Sequence, residues 1–490
     1  MFKKVLIANR GEIALRVAKT LKRLRIPSVA LYLQQEADAL HVQFADEASL
    51  LDGESLSETY LDIELMISLA KKQGCDAIHP GYGFLSENPL FSEACRKNQI
   101  RFIGPSPEAM RKVGNKLSSR KLAEKVGVPV VPYAEIPDDG VLSSADQKRI
   151  GFPLMIKAAA GGGGKGLKRV DSPKELKEAV ESARREAKSA FGNPRIYAEK
   201  YLEKVRHIEI QIMGDRHGNI LSLGERECSS QRRHQKIIEE SPSPFVDEAL
   251  RKKLSHAARQ IAEEAHYENA GTVEFLVDRE KEFYFLEVNA RLQVEHSVTE
   301  MRTGLDLVEL QLKAAAGECL PIRQEEIPFR GHAIEARINA ENPEQGFLPE
   351  SGRVIALHFP SLEHLRIDTA LTTQSEVTPA FDPLLCKMIT WGEGRETARK
   401  RLLEALSETI LLGVGSNLDF LKFILASPPF IRGEIYTSTI EELIRGKGKN
   451  LSEIESLLAV TAAWLASRES RRGGPKESLT PWTRLGPWRL

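Results

Sequence analysis

Residues 286–296 read Leu-Glu-Val-Asn-Ala-Arg-Leu-Gln-Val-Glu-His, and no other stretch constrains the chain so tightly. Apolar residues alternate with Glu287, Asn289, Arg291, Gln293 and Glu295. A period of two predicts an extended segment with one buried face. The polar face carries carboxylates, amides and a guanidinium where a solvated strand would carry Lys, Thr and Ser. Short oxygen ligands beside a fixed cation suit a site that holds a hard metal and an oxyanion together. Upstream, Gly271–Val277 is β-rich, Asp278–Glu282 is a polar turn, and Phe283–Val288 returns, which is the pattern of a hairpin. Such a hairpin sets Glu274 opposite Glu287 and Asn289 on one face. These side chains offer oxygen only, so the metal expected is Mg²⁺ or Mn²⁺ and not zinc.

The length of 490 residues predicts two to four domains. Lys plus Arg and Asp plus Glu both number 69, a balance that gives no support for nucleic-acid or membrane binding. No apolar run reaches the roughly 20 residues that span a bilayer. The five cysteines are scattered without a Cys-x-x-Cys pair, which fits a reducing compartment. The expected location is cytoplasmic, or an organellar matrix after removal of a transit peptide.

Strand-like Lys4–Ala8, the helical pattern Glu12–Leu24 and strand-like Ser28–Leu33 open a series of alternating units. Helix 60–72 and strands 77–78 and 101–103 continue it, predicting a mostly parallel sheet. The first turn, Ala8-Asn9-Arg10-Gly11-Glu12, is not a dinucleotide fingerprint. One helical connector is expected over 107–126. A strand, Pro153–Ala158, runs into Ala159-Ala160-Gly161-Gly162-Gly163-Gly164-Lys165-Gly166, followed by a strand and a helix over 173–190. Adjacent glycines let backbone N–H groups close on an anion. The spacing is not that of a Walker A loop, and the context favours a flap over nucleotide phosphates. Lys116, Lys157, Lys200, His207 and Glu209 read as polar positions in structured segments. Glu225–Lys236 reads as an exposed loop or an anion subsite, with a basic patch over 232–236. Arg337 lies on an alternating strand, with Glu335 or Glu341 as its expected ion-pair partner.

These motifs, in order from Met1 to about Gly446, resemble the biotin carboxylases, the ATP-grasp component of biotin-dependent carboxylases. The most specific are Ile7–Ala14, His79–Asn88, Gly161–Gly166, Glu225–Lys236 and Glu287–His296. The resemblance implies a mixed α/β and α+β fold. Its parts are an N-terminal open α/β (pre-ATP-grasp) domain over 1–103, a helical connector over 104–130, and a mobile glycine-loop lid domain over 131–203. A C-terminal ATP-grasp and biotin carboxylase C domain of mixed and antiparallel strands covers 204–446. A helix plus linker over 447–490 leads toward a further domain.

The resemblance also implies the site. Lys116, Lys157, His207 and Gly161, Gly162, Gly163 and Gly164 contact ATP phosphates. Glu199, Lys200 and Leu202 form the adenine-side hinge, with Gln231 and His234 near the nucleotide. Glu274, Glu287 and Asn289 hold two Mg²⁺ or Mn²⁺ ions. Lys236, Arg291, Gln293 and the Val294 backbone cradle bicarbonate, Glu295 deprotonates it, and Arg337 holds the biotin oxygen as an enolate. The implied activity is biotin carboxylation through carboxyphosphate, the first half-reaction of an acyl-CoA carboxylase such as those acting on methylcrotonyl-CoA or propionyl-CoA.

Biotin is a carried substrate, not a group attached here, because no Ala-Met-Lys-Met segment occurs. The implied partners are a biotin carboxyl carrier protein or domain, a second copy of the chain and a carboxyltransferase subunit. The family often has Pro where Ser297 stands, and a Tyr-Asp segment where Phe381-Asp382 stands. On sequence alone two alternatives stay open: an ATP-grasp ligase with an amine acceptor, and a non-enzymatic scaffold that keeps the fold.

Overall fold

Five short strands near the N-terminus pair in parallel because helices connect them. In the computed structural model, which describes residues 1–159 and 167–447, these are β1 (Val5–Ile7), β2 (Ser28–Tyr32), β3 (Glu47–Leu50), β4 (Ala77–His79) and β5 (Arg101–Phe102). Their order is β3-β2-β1-β4-β5, all parallel. Helix Gly11–Arg23 packs on this sheet through Ile13, Val17 and Leu21. The loop after β4 is locked: Asn9 Nδ2 donates to the carbonyls of Pro80 (2.7 Å) and Tyr82 (2.8 Å). Gly81 has φ +63, and a Cβ there would lie 2.9 Å from Asn9 Nδ2, so the turn needs glycine.

The helical stretch expected over 107–126 consists of two helices, Pro107–Gly114 and Lys116–Lys125. Asn115 is extended between them, and its side chain accepts from the N–H groups of Leu117 and Ser118, capping the second. A four-stranded antiparallel sheet follows, ordered β6-β9-β7-β8, from β6 (Tyr133–Glu135), β7 (Leu154–Ala158), β8 (Lys168–Val170) and β9 (Ile196–Lys200). One face of it, with Leu154, Ile156, Val170 and Ala198, packs on Val180, Ala183 and Ala187 of helix Leu176–Phe191. The glycines at 161–164 lie outside the described residues.

The third sheet has eight antiparallel strands. They are β10 (Arg206–Gly214), β11 (Ile220–Arg232), β12 (Gln235–Ser241), β13 (Asn269–Val277), β14 (Phe283–Asn289), β15 (His332–Asn339), β16 (Leu365–Thr369) and β17 (Leu384–Gly392), ordered β14-β13-β10-β11-β12-β15-β17-β16. Ile208, Ile210, Val273, Phe275 and Phe285 share one hydrophobic core with Leu6, Val29 and Ile78 of the parallel sheet. Burying each such side chain contributes roughly 2 kcal/mol, so the two sheets are bound into one body.

Two expectations about strands are corrected. The alternation over 286–296 is extended only to Asn289; residues 293–295 belong to a turn, and helix His296–Thr303 follows. Glu225–Lys236 is not a loop but most of a hairpin, turning at Arg233 and His234, which both have positive φ (49 and 65).

By Cα proximity the chain divides at Ser438, and the described part of the second unit is helix Thr439–Lys447. The expected helix at 451–467, the linker at 468–480 and the tail at 481–490 lie outside the described residues. No described helix is long and apolar enough to cross a membrane.

Candidate active site

Strand β10 is buried at every position. Its Ile208, Ile210 and Ile212 enter the core, so His207, Glu209 and Gln211 project from the other face. Register then aligns charges across four strands. Glu209 faces Arg226 on β11 and Glu274 on β13, and Glu274 faces Glu287 on β14. Carboxylates directly opposite one another repel. Cations placed among them offset that repulsion. Arg226 pairs with Glu209 and also donates to Gln211 and Thr299. Lys236 Nζ reaches Glu209 (2.5 Å), Glu274 (2.8 Å) and Glu295 (2.7 Å).

Glu295 is fully buried and stands at the start of helix His296–Thr303, but its side chain caps nothing. It turns to Lys236 and to Arg337, whose Nη2 lies 2.7 Å away. Burial disfavours its charge, yet Lys236, Arg337 and Arg226 outweigh burial and hold its carboxyl well below the usual range. The same balance, set by Lys236 and His207, holds Glu274 down, and three carboxylates push the Lys236 ammonium well up. Arg337 pairs with Glu239 (2.5 Å) and Glu295, not with the expected Glu335 or Glu341; Glu341 accepts from Arg232 instead. Burial pushes Glu239 up to about 7 despite Arg337.

The expected metal ligands are adjacent. Glu274 opposes Glu287, and Asn289 opposes Thr272 one pair along the same face. A protein cation rests on one oxygen of each: Lys236 on Glu274, Lys116 on Glu287 (3.5 Å) and Arg291 on Asn289 (3.1 Å). The oxygen-only donors fit a hard divalent ion, which would take the place of these cations on the carboxylates. His207, Glu209 and Glu274 also lie within 4.8 Å of one another, but the Lys236 ammonium is bonded to both carboxylates of that group.

Gln293 donates to Glu274 (3.0 Å), and the Val294 carbonyl accepts from Lys387 (2.8 Å). His207 Nε2 is 2.9 Å from Glu274, and Gln231 Nε2 is 3.4 Å from His207 Nδ1. Lys116, His207, Gln231, Lys236, Glu274, Glu287, Asn289, Arg291, Gln293, Glu295 and Arg337 thus form one neighbourhood. Glu199 is the centre of a second group: buried, it pairs with the half-buried Lys157 and with Arg120, whose guanidinium lies over Tyr133 and Tyr197. Lys200 and Leu202 mark the exit from β9, the first exposed and the second half-buried, and His234 is exposed at its hairpin tip.

Sequence reasoning assigned no role to Glu87, Arg226, Glu239 or Lys387. Glu87 accepts from the Ala290 N–H (2.9 Å) and from Arg291 Nε (2.9 Å), fixing that guanidinium from the parallel sheet's side. The His79–Asn88 motif contained that signal. Arg226 lay inside the Glu225–Lys236 motif, but its pairing with Glu209 comes from strand register; Lys387 gave no signal, because its partners lie far along the chain.

The chain matches the biotin carboxylase N-terminal domain over residues 1–110, the ATP binding domain of the carbamoyl-phosphate synthase L chain over 115–323, and the biotin carboxylase C-terminal domain over 335–442. Biotin carboxylase 2 of Bacillus subtilis is 48% identical, over 90% of this chain and 100% of its own. The biotin carboxylase of Halalkalibacterium halodurans is 46% identical over 92% and 100%. The alpha chain of the mitochondrial methylcrotonoyl-CoA carboxylase of Dictyostelium discoideum is 43% identical over 99% and 70%. Among solved structures, the biotin carboxylase domain dimer of Hydrogenobacter thermophilus 2-oxoglutarate carboxylase, in complex with MgADP, ADP and bicarbonate, superposes with a TM-score of 0.86 at 42% identity, covering 90% of this chain and 98% of that one. Three domain models in sequence, and relatives this similar across nine-tenths of the residues, lead to one conclusion: the chain belongs to the biotin carboxylase family of ATP-grasp enzymes.

Proposed function

We propose that this enzyme carboxylates biotin, presented by a carrier protein or domain, with the cluster around Lys236 as the place where bicarbonate is gripped and deprotonated. One observation carries the reading: Lys236 and Arg337 converge on the two oxygens of a wholly buried Glu295. A carboxylate held this way is a weak base. An arriving anion shares Lys236 with it, withdraws part of that stabilisation, and raises its basicity where the proton must be taken.

Arg291, Lys236, Gln293 and the Val294 backbone orient bicarbonate, and Glu295 accepts its proton. The resulting oxyanion forms a bond to the γ-phosphorus as the bond to ADP breaks, giving carboxyphosphate. Lys116, Lys157, His207 and the glycines at 161–164 neutralise charge on the transferring group. Glu274, Glu287 and Asn289 would hold Mg²⁺ or Mn²⁺, which supplies Lewis-acid charge at the phosphates. Carboxyphosphate then divides into CO₂ and phosphate, phosphate takes the biotin N1 proton, and the N1–C bond forms while Arg337 holds the ureido oxygen as an enolate. Exclusion of water protects the intermediate.

The carboxyl group passes to a separate carboxyltransferase. The dimeric structure of the Hydrogenobacter relative supports a homodimer, and four buried cysteines, all free, support a cytoplasmic setting. The test is ATP hydrolysis by the purified chain with bicarbonate and free biotin each present or withheld. Hydrolysis that needs both supports the reading; hydrolysis indifferent to bicarbonate, or driven by an amine, overturns it.

A further inference from the structure

The turn that carries Glu295 is held by more than its own side chain. Arg337, Lys387 and Asp368 stand directly opposite one another on β15, β17 and β16, a row of three charges on one sheet face. Each reaches the turn at a different atom. Arg337 takes the Glu295 carboxylate (2.7 Å), Lys387 Nζ donates to the Val294 carbonyl (2.8 Å), and Asp368 accepts from the Ser297 hydroxyl (3.2 Å). Ser297 also accepts from Lys387 (3.2 Å), so its hydroxyl links the two.

Lys387 is fully buried, and an ammonium without partners there is costly. Burial works against its charge, but Glu12, Glu335 and Asp368 outweigh it. Glu12 lies 3.5 Å and Asp368 3.6 Å from Nζ. The Val294 carbonyl belongs to the same planar peptide as the Glu295 N–H. Fixing that oxygen therefore fixes the backbone from which the base projects.

We infer that Lys387, with Ser297 and Asp368, is a positioning group that sets the place of Glu295 by gripping its turn at Val294 and Ser297. This rests on the reading of Glu295 as the bicarbonate base. At the second position of helix His296–Thr303, Ser297 contributes a hydroxyl where a proline would contribute none.

The test uses the full chain with bicarbonate and ATP varied separately. Ser297→Ala is expected to lower kcat/KM for bicarbonate about tenfold while KM for ATP stays within about twofold. Ser297→Thr, which keeps the hydroxyl, is expected to restore the parent value. Lys387→Met is expected to lose more, about a hundredfold. Should Lys387→Met fail to fold, the serine pair decides alone. An unchanged bicarbonate kcat/KM in Ser297→Ala, or equal losses toward ATP and bicarbonate, would overturn the inference. Amide exchange at His296 and Val298 reads the hold without any chemistry. If the parent enzyme shows no bicarbonate dependence, the functional reading fails, while faster exchange at those two amides in Ser297→Ala still supports the grip and unchanged exchange refutes it.

Discussion

The four-stranded and the eight-stranded sheets use the same alternation to different ends. In β7, Leu154, Ile156 and Ala158 are buried while Met155 and Lys157 between them are only half-buried, so one face is covered and the other is open. In β10 every residue is buried, and the second face is covered by charge instead of hydrocarbon. The small sheet is held by its apolar face and by a helix. The large sheet adds a continuous row of ions whose members have no water to fall back on. Charges in such a place depend on one another: each is tolerable only while its partners remain.

That contrast is testable, starting with its strongest consequence. Arg226→Met removes the cation beside Glu209 and leaves a buried carboxylate short of a partner. Urea unfolding should show a loss of about 3–5 kcal/mol, and a loss below about 1 kcal/mol would mean the row is not mutually held. Next, Glu295→Gln keeps size and removes charge. Bicarbonate-dependent ATP turnover should fall about 10²–10³-fold, with KM for ATP little changed in initial-rate assays.

The third prediction concerns acid. Burial, with Lys387 adding to it, lowers His296 to about 3, so folding keeps it neutral, whereas the unfolded chain protonates it near 6.5. The unfolded state then binds more protons, and stability falls as pH drops from 6.5 toward 3. Between pH 6.5 and 5 this side chain should account for about 2 kcal/mol. His296→Gln should flatten that dependence in melts across the range, against the opposite trend of Glu12 and Glu239, both pushed up to about 7. Residues 131–203 contain no histidine, so the small sheet should add nothing of this kind. The smallest effect belongs to the open face. Arg169→Ala removes exposed pairs with Asp171 and Glu203 and should change stability by less than about 0.5 kcal/mol by the same unfolding measurement.

The same distinction explains what could be read from the chain. The hairpin of β13 and β14, with Glu274 facing Glu287, follows from alternation and a polar turn, both local signals. Strand β11 was hidden because both parities turn polar from Glu225 onward, leaving no apolar face to detect. The end of β14 was hidden for the opposite reason. Alternation continues in sequence through Glu295, but Glu87 takes the Ala290 N–H, and the chain leaves the sheet. The break at Asn115 was visible in principle as a capping residue after Gly114. Glu209, Arg226, Glu239 and Lys387 acquire roles only from strand register, which brings together residues tens to hundreds of positions apart.

The Glu87 contact has a bearing on how such proteins can be recombined. The first hundred residues look like a separable module, yet one of their carboxylates braces a guanidinium some two hundred positions downstream. A chimera joining this N-terminal segment to a foreign partner would import or forfeit that brace according to a single side chain. Its success would then turn on whether donor and recipient agree at that contact more than on where the splice is made.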